Sequence, residues 1–198
     1  MEVVLASANR GKLRELSTLL AGLPLTLAPL SQYGITAPEE TGQTFLENAL
    51  LKARHAAVLS DRPAIADDSG LVVPALGGAP GVRSARYAGD AADDEANVLH
   101  LLQSLRSAGQ VSRDCFFVCV MVYLRAPDDP LPCISQGLWR GSVLEAARGD
   151  GGFGYDPVFW CAEQACSAAE LPADVKNRIS HRGIAAADLL AQLRTEFS

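Results

Sequence analysis

The chain lacks any apolar run long enough to cross a membrane: the longest, Cys115 to Leu124, falls well short of the ~20 residues a helical span needs. It also lacks an excess of positive charge. With a formal net charge of -6 and a pI near 5.0 it offers no broad surface for duplex nucleic acid, although a local basic pocket is compatible with that balance. There is no C-x-x-C pair, and five cysteines (Cys115, Cys119, Cys133, Cys161 and Cys166) cannot all pair within one chain. With no signal peptide at the N-terminus either, they are expected to be reduced thiols in a cytoplasmic protein. Internal repeats and low-complexity tracts are absent. What is there is the balance of a globular protein, 48% hydrophobic and 20% charged over 198 residues, enough for one folding unit with a sizeable core.

Val3 to Ala6 reads as a buried strand, and Leu13, Leu16, Leu19 and Leu20 then recur at helical spacing. Between them lies Ser7-Ala8-Asn9-Arg10-Gly11-Lys12. A polar loop at a helix N-terminus offers free backbone N–H groups and the positive end of the dipole, and Arg10 and Lys12 add charge, so this stretch outlines a phosphate cradle. It is not a Walker A loop: Ala6 stands where that motif needs its first glycine, and Leu13 follows the lysine in place of Ser or Thr. Further on, Thr44 with Glu47 forms a capping box for a helix running to about Ser60, with Leu46, Ala49, Leu50, Ala53 and Ala57 facing inward. Ahead of that cap, Glu39 and Glu40 are either solvated loop acids or a source of a metal carboxylate.

The stretch Ile65-Ala66-Asp67-Asp68-Ser69-Gly70 ends an apolar run in two acids, a hydroxyl and a glycine. If Ala64 to Ala66 is a strand, alternation sends Asp67 and Asp68 to opposite sides, one toward a site and one to brace the backbone. A carboxylate at a strand end suits Mg²⁺, and Gly70 would let the chain turn beside a ligand; a plain polar turn is the other reading. The glycines of Gly77-Gly78-Ala79-Pro80-Gly81 are expected to permit unusual backbone angles, with Arg83, Arg86 and Tyr87 either bracing the loop, as Arg commonly does, or reaching phosphate. Asp93 or Asp94 caps a helix carrying Val98, Leu99, Leu102 and Leu105. Cys115 to Leu124 is rich in β-branched and aromatic residues and reads as a central strand, with Cys115 and Cys119 as small core residues, and Ile134 to Val143 as its antiparallel partner.

Toward the C-terminus, Gly151-Gly152-Phe153-Gly154-Tyr155-Asp156-Pro157 surrounds aromatic rings with glycine, which suits holding a ring against a planar ligand while backbone amides approach it. Ser167 with Glu170 makes a second capping box before Pro172. Lys176-Asn177-Arg178-Ile179-Ser180-His181-Arg182-Gly183 then gathers basic and titratable groups ahead of a closing helix with Ala186, Leu190, Leu193 and Phe197 on its core face. Such a stretch is either a site for an anion or polar ligand or a solvated basic patch.

Taken together and in order, these stretches resemble the inosine triphosphate pyrophosphatase family of hydrolases that act on non-standard purine nucleotides. The resemblance rests on S-x-N-x-x-K at Ser7 to Lys12, E-E-T-G with F-x-E-N-A at Glu39 to Ala49, A-D-D-S-G at Ala66 to Gly70, G-G-x-P-G-x-x-S-A-R-Y at Gly77 to Tyr87, G-G-F-G-Y-D-P at Gly151 to Pro157 and S-H-R-G at Ser180 to Gly183. It implies an ITPase-like mixed α/β fold over residues 1–198, with an elongated central mixed β-sheet, flanking helices and two lobes around a cleft, and usually a homodimer.

Carried over residue by residue, the resemblance implies that Ser7, Ala8, Asn9, Arg10, Gly11 and Lys12 hold the triphosphate and that Glu39 and Asp68 bind Mg²⁺. Asp68 would also act as the base, Lys12 would offset charge on the leaving group, and Ser69 would touch phosphate. Phe153, Gly154, Tyr155 and Asp156 would surround the base and sugar, and Lys176, His181 and Arg182 would contact the base. The implied reaction is hydrolysis of ITP, dITP or XTP to a monophosphate and pyrophosphate. Neither a nucleic acid polymer nor a membrane is expected as a partner. Rival readings are a Maf-like pyrophosphatase for pyrimidine or modified nucleotides, against which G-G-F-G-Y-D-P and S-H-R-G speak, and a non-catalytic nucleotide sensor, which would not need both metal ligands and a base.

Overall fold

The structure is a computed structural model and describes residues 1–7, 16–19, 21 and 25–196. Strands β1 (Glu2–Leu5), β2 (Thr26–Pro29), β3 (Ala64–Val72), β4 (Asp114–Leu124), β5 (Cys133–Val143), β6 (Phe159–Cys161) and β7 (Cys166–Ser167) form one seven-stranded sheet in the order β2-β1-β3-β4-β5-β6-β7. β1 pairs in parallel with β2 and β3, whereas β5 with β6 and β6 with β7 are antiparallel, so the sheet is mixed. β4 is its middle strand and is buried almost throughout, as the unbroken run of apolar residues from Cys115 to Leu124 requires of a strand covered on both faces. In β5 burial alternates instead: Ser135, Gly137 and Trp139 point inward while Ile134, Gln136 and Leu138 face out.

The chain divides into two compact units, the first made of residues 1–68, 119–137 and 181–198, the second of 69–118 and 138–180. The first has a core of Val3, Leu5, Leu16, Ile65, Cys119, Met121 and Tyr123 from the strands with Ala185, Ala186, Leu189 and Leu193 from a helix. The second is built on Leu71, Val73, Leu101, Leu105 and Cys115 and on a cluster of rings: Phe159 lies 4.7 Å from Phe117 and 4.6 Å from Trp139 between ring centres. Such tilted contacts are the favoured geometry of aromatic pairs.

Helix α1 (Phe45–Ser60) starts at the expected capping box, with Glu47 N–H donating to Thr44 Oγ1 and the Glu47 carboxylate accepting from Thr44 N–H. Its buried stripe is Asn48, Ala49, Lys52, Ala53, Ala56 and Ala57; Leu46, expected inside, is exposed and Leu50 only half-buried. The helix is turned about its axis toward Asn48 and Lys52, because both are drawn to a buried carboxylate described below. In α2 (Asp94–Ser107) Asp93 is the cap, accepting from Ala96 N–H, and the core face is Val98, Leu101, Leu102 and Leu105, with Leu99 outside.

Two further corrections concern boundaries. β3 does not end at Ala66: it runs through both acids and Ser69 to Val72, and Gly70 is a buried strand residue with no turn at it. The basic stretch near the C-terminus is not a loop before a helix either. Lys176 lies within α3 (Ala173–Ile179), and His181 and Arg182 form the first turn of α4 (His181–Glu196). On α4 Ala186 and Leu193 are buried as expected, Leu190 is half-buried, and Phe197 lies outside the described residues. Gly137 fixes the approach of that first turn, since a Cβ there would come within 2.0 Å of the His181 carbonyl oxygen.

Candidate active site

Strand alternation does what the sequence asks of Asp67 and Asp68, which are both buried and point to different partners. Asp68 meets α1: its Oδ1 accepts from Lys52 Nζ at 2.8 Å and its Oδ2 from Asn48 Nδ2 at 3.4 Å. Asp67 meets α4 instead, with its Oδ2 at 3.8 Å from Arg182 Nε. One acid is thus assigned to a cluster with a loop and a helix, and the other to an ion pair beneath the first turn of α4.

Lys52 is the residue the sequence reading passed over. Its ammonium bridges two carboxylates, Asp68 Oδ1 and Glu40 Oε1, at 2.8 Å each. Burial works against the charged form, but the attraction of Asp68, Asp67 and Glu40 outweighs it and holds the Lys52 pKa above its ordinary value. Asn48 ties the same cluster to the loop ahead of α1, since its Oδ1 accepts from Gly42 N–H at 2.7 Å. A signal was present: Asn48 and Lys52, one helical turn apart, share a face with Ala49, Ala53, Ala56 and Ala57, and polar residues inside an alanine stripe have to be satisfied by something buried.

Of the two loop acids, Glu40 is half-buried and engaged with Lys52, while Glu39 is exposed. Among the described residues no group of three or more His, Cys, Asp or Glu gathers as a metal cage. The donors that do converge, Asp68 and Glu40, are hard carboxylate oxygens. That set fits Mg²⁺, which is held by one or two carboxylates and completes its shell with water and substrate phosphate. Of the expected phosphate cradle, Ser7 is half-buried just after β1, whereas Ala8, Asn9, Arg10, Gly11 and Lys12 lie outside the described residues. Ser69 is half-buried in β3.

A second cluster belongs to the second unit. The Asp156 carboxylate organises it: Oδ2 accepts from Lys176 Nζ at 2.6 Å and from Phe153 N–H at 2.8 Å. Lys176 Nζ in turn lies 4.9 Å from the centre of the half-buried Phe153 ring, a cation–π arrangement. Gly152 has to be glycine here, with φ at 74° and a Cβ that would fall 2.1 Å from Asp156 Oδ2. Gly154 N–H donates to Asp94 Oδ2 at 2.7 Å, which fastens the loop to the start of α2. Tyr155 is 4% exposed, its hydroxyl donates to Ser84 O at 2.8 Å, and burial pushes its pKa far above the usual phenol value, so its ring anchors this loop in the core.

His181 and Arg182, expected beside Lys176 at the base, are buried in the first unit, with Arg182 facing Asp67. Asp94 was read from the sequence only as a possible cap; nothing local marks it as the acceptor for a loop sixty residues away.

Residues 3–192 match the Ham1 family. The chain belongs to that family. Curated relatives of this Ham1 chain include the dITP/XTP pyrophosphatase of Photorhabdus laumondii, 50% identical over 193 residues and covering 98% of both chains. The dITP/XTP pyrophosphatase of Thioalkalivibrio sulfidiphilus is 52% identical over 194 residues, covering 98% of this chain and 99% of its own. Among solved structures, a HAM1 protein from Coxiella burnetii superposes with a TM-score of 0.93 at 44% identity, covering 98% of this chain and 99% of that one. The Staphylococcus aureus Ham1 protein gives 0.88 at 38% identity, covering 99% and 100%. The mixed α/β fold expected from the sequence is therefore the Ham1 fold. Among the described residues no helix is long and apolar enough to cross a membrane.

Proposed function

We propose that this Ham1 chain hydrolyses the α–β phosphoanhydride of dITP, ITP and XTP, releasing a nucleoside monophosphate and pyrophosphate. The observation that carries the reading is the buried Asp68–Lys52–Glu40 cluster, two carboxylates meeting at one ammonium. Asp68 orients the attacking water and takes its proton, a role that suits a carboxylate whose two oxygens are held in place by Lys52 and Asn48. Lys52 pairs directly with Asp68 and offsets the negative charge that substrate phosphates bring to a carboxylate-lined site. Mg²⁺, held by Asp68 with Glu39 or Glu40, supplies charge neutralisation at the phosphate oxygens when bound. Ser7 to Lys12 cradle the triphosphate, and Lys12 balances charge on the departing pyrophosphate.

The base is assigned to the Phe153 cluster. Stacking on an aromatic ring is indifferent to base identity, so Phe153 supplies affinity, and discrimination falls to polar groups. Hypoxanthine and xanthine present a 6-oxo acceptor where adenine presents an amino donor. A cationic donor such as Lys176, already committed to Asp156 on one side, favours the oxo group and leaves adenine with donor against donor, while guanine, which shares the 6-oxo group, is refused through its extra 2-amino donor.

The reading also implies a cytoplasmic homodimer, which size-exclusion chromatography with light scattering checks. The deciding experiment incubates the purified protein with Mg²⁺ and ITP, XTP, dITP, GTP, ATP or dTTP and separates the products. Pyrophosphate and monophosphate from ITP, dITP and XTP, little from ATP or GTP, and no turnover once the metal is chelated are the expected results. Orthophosphate would move the cut to the terminal phosphate, and a dTTP preference would favour a Maf-like activity.

A further inference from the structure

Cys161 closes β6 and Cys166 opens β7, and the two are direct partners across this antiparallel pair. Directly opposed residues in such a ladder have Cα atoms about 4.5–5.5 Å apart and side chains on one face. A disulfide needs Cα atoms roughly 4.4–6.8 Å apart, so the backbone already meets the requirement without moving either strand. The connection is short and turned tightly, with Gln164 N–H donating to Cys161 O at 3.2 Å and Ala165 N–H to Ala162 O at 3.3 Å. Both thiols are free in this structure.

We propose that Cys161 and Cys166 form a reversible dithiol–disulfide site that closes on contact with a peroxide. The two thiols are unequal: Cys161 is 2% exposed, whereas Cys166 is half-buried and can be reached from solvent. Cys166 therefore reacts first. Its thiolate attacks one peroxide oxygen, forming an S–O bond as the O–O bond breaks, and leaves a sulfenic acid and hydroxide. Cys161 sulfur then attacks that sulfenic sulfur, the S–S bond forms, and water departs with the Cys161 proton. In sum two thiols and one peroxide give one disulfide and two waters, with the sulfurs oxidised and the peroxide oxygens reduced. A small dithiol reverses it by exchange. Burial, the Cys161 thiol and Glu170 push the Cys166 pKa up while Arg148 pulls it down, so closure is faster in mild alkali.

The consequence is a staple at a point that the Phe153 loop depends on. Ser167, next to Cys166, donates through Oγ to Arg148 O at 2.6 Å and through its N–H to Glu170 Oε2 at 2.7 Å, anchoring the hairpin to the entry of the glycine-rich stretch. Because the partners already face each other, the bridge preserves this anchor. It also diverts Cys166 from the sulfinic and sulfonic steps that cannot be reversed by thiols. Formation of the bridge does not depend on the nucleotide reading; only the turnover readout below does.

The test uses the full reduced chain, treated with one equivalent of hydrogen peroxide, alkylated and digested with a protease that cuts after glutamate. Cleavage at Glu163 separates the cysteines, so a bridge holds two peptides together. The expected result is loss of two of the five alkylatable thiols, a Cys161–Cys166 linked peptide pair, and its disappearance after dithiothreitol or in Cys166→Ala. Turnover of the oxidised protein stays within about twofold of the reduced form, since the bridge leaves the register unchanged. Full alkylation of both thiols after peroxide would overturn the proposal, as would Cys166 advancing to sulfinic acid with Cys161 still a thiol, or a link to a different cysteine.

Discussion

The two units handle buried charge differently. In the first, Lys52 lies between Asp68 and Glu40 while Asp67 faces Arg182, so charge is balanced by charge and the groups in contact are hard carboxylates and cations. In the second, one ion pair, Lys176 with Asp156, is placed against the ring of Phe153 and braced by the Phe153 N–H of a glycine-rich loop. The first arrangement suits a highly charged ligand that exchanges one set of ionic partners for another. The second suits a flat, neutral heterocycle that needs a face and a few directional donors. A nucleoside triphosphate presents both chemistries.

That contrast predicts which kinetic constant each cluster controls. The largest effect is expected from Asp68→Asn, which removes the proposed base while keeping the shape: kcat falls by about 10²–10⁴-fold with nucleotide binding retained. Turnover near the wild-type rate would break the assignment outright. Asp67→Asn next to it should act on folding, because it removes the carboxylate that faces the buried Arg182 guanidinium. Removal of one partner from a buried pair costs about 3 kcal/mol, and the melting temperature should drop by several degrees with little change in KM.

In the second unit the expected effects move to KM. Phe153→Ala should raise KM for all purine triphosphates by about 10–100-fold, the worth of one stacked base, and leave kcat within a few fold. A loss confined to kcat would erase the difference between the clusters. Asp94→Ala removes the acceptor for Gly154 N–H at an exposed helix start; a bond of that kind is worth about 1 kcal/mol, so KM should rise roughly fivefold. The smallest effect is in alkali. The Lys52 pKa is raised on folding, so its contribution to stability is complete below the ordinary lysine value of about 10.4 and is lost as pH rises through the folded value. Urea unfolding followed from pH 9 to pH 11 should therefore show stability falling only at the upper end, and a flat profile would remove Lys52 from the ionised role.

Much of this molecule was legible residue by residue. The capping boxes at Thr44–Glu47 and Ser167–Glu170, the central strand at Cys115–Leu124 and the opposite facing of Asp67 and Asp68 all depend on neighbours within one turn or one strand period, and all are found as read. The errors share a cause. Counting apolar residues places Leu46 inside, yet the roll of α1 is set by two polar residues seeking Asp68. Gly70 was read as a turn because Asp-Asp-Ser-Gly has turn composition, and the sheet overrode that preference by pairing on through it. Nothing local marks the Tyr155 hydroxyl for Ser84 O, seventy-one residues away in sequence.

The amino-acid sequence by itself determined the family, the longer strands and helices, the caps and the set of polar stretches from which any site must be drawn, since periodicity, local hydrogen bonding and motif spacing are properties of short windows. Only the tertiary structure decided that Glu40 shares the ammonium of Lys52 with Asp68, that Arg182 faces Asp67, that Asp94 holds Gly154, and that Cys161 faces Cys166. Each is a pairing of one buried or constrained polar group with another across a change of element. Which pairing forms depends on how the elements pack, because burial makes an unsatisfied charge too costly to leave and so selects the one partner within reach.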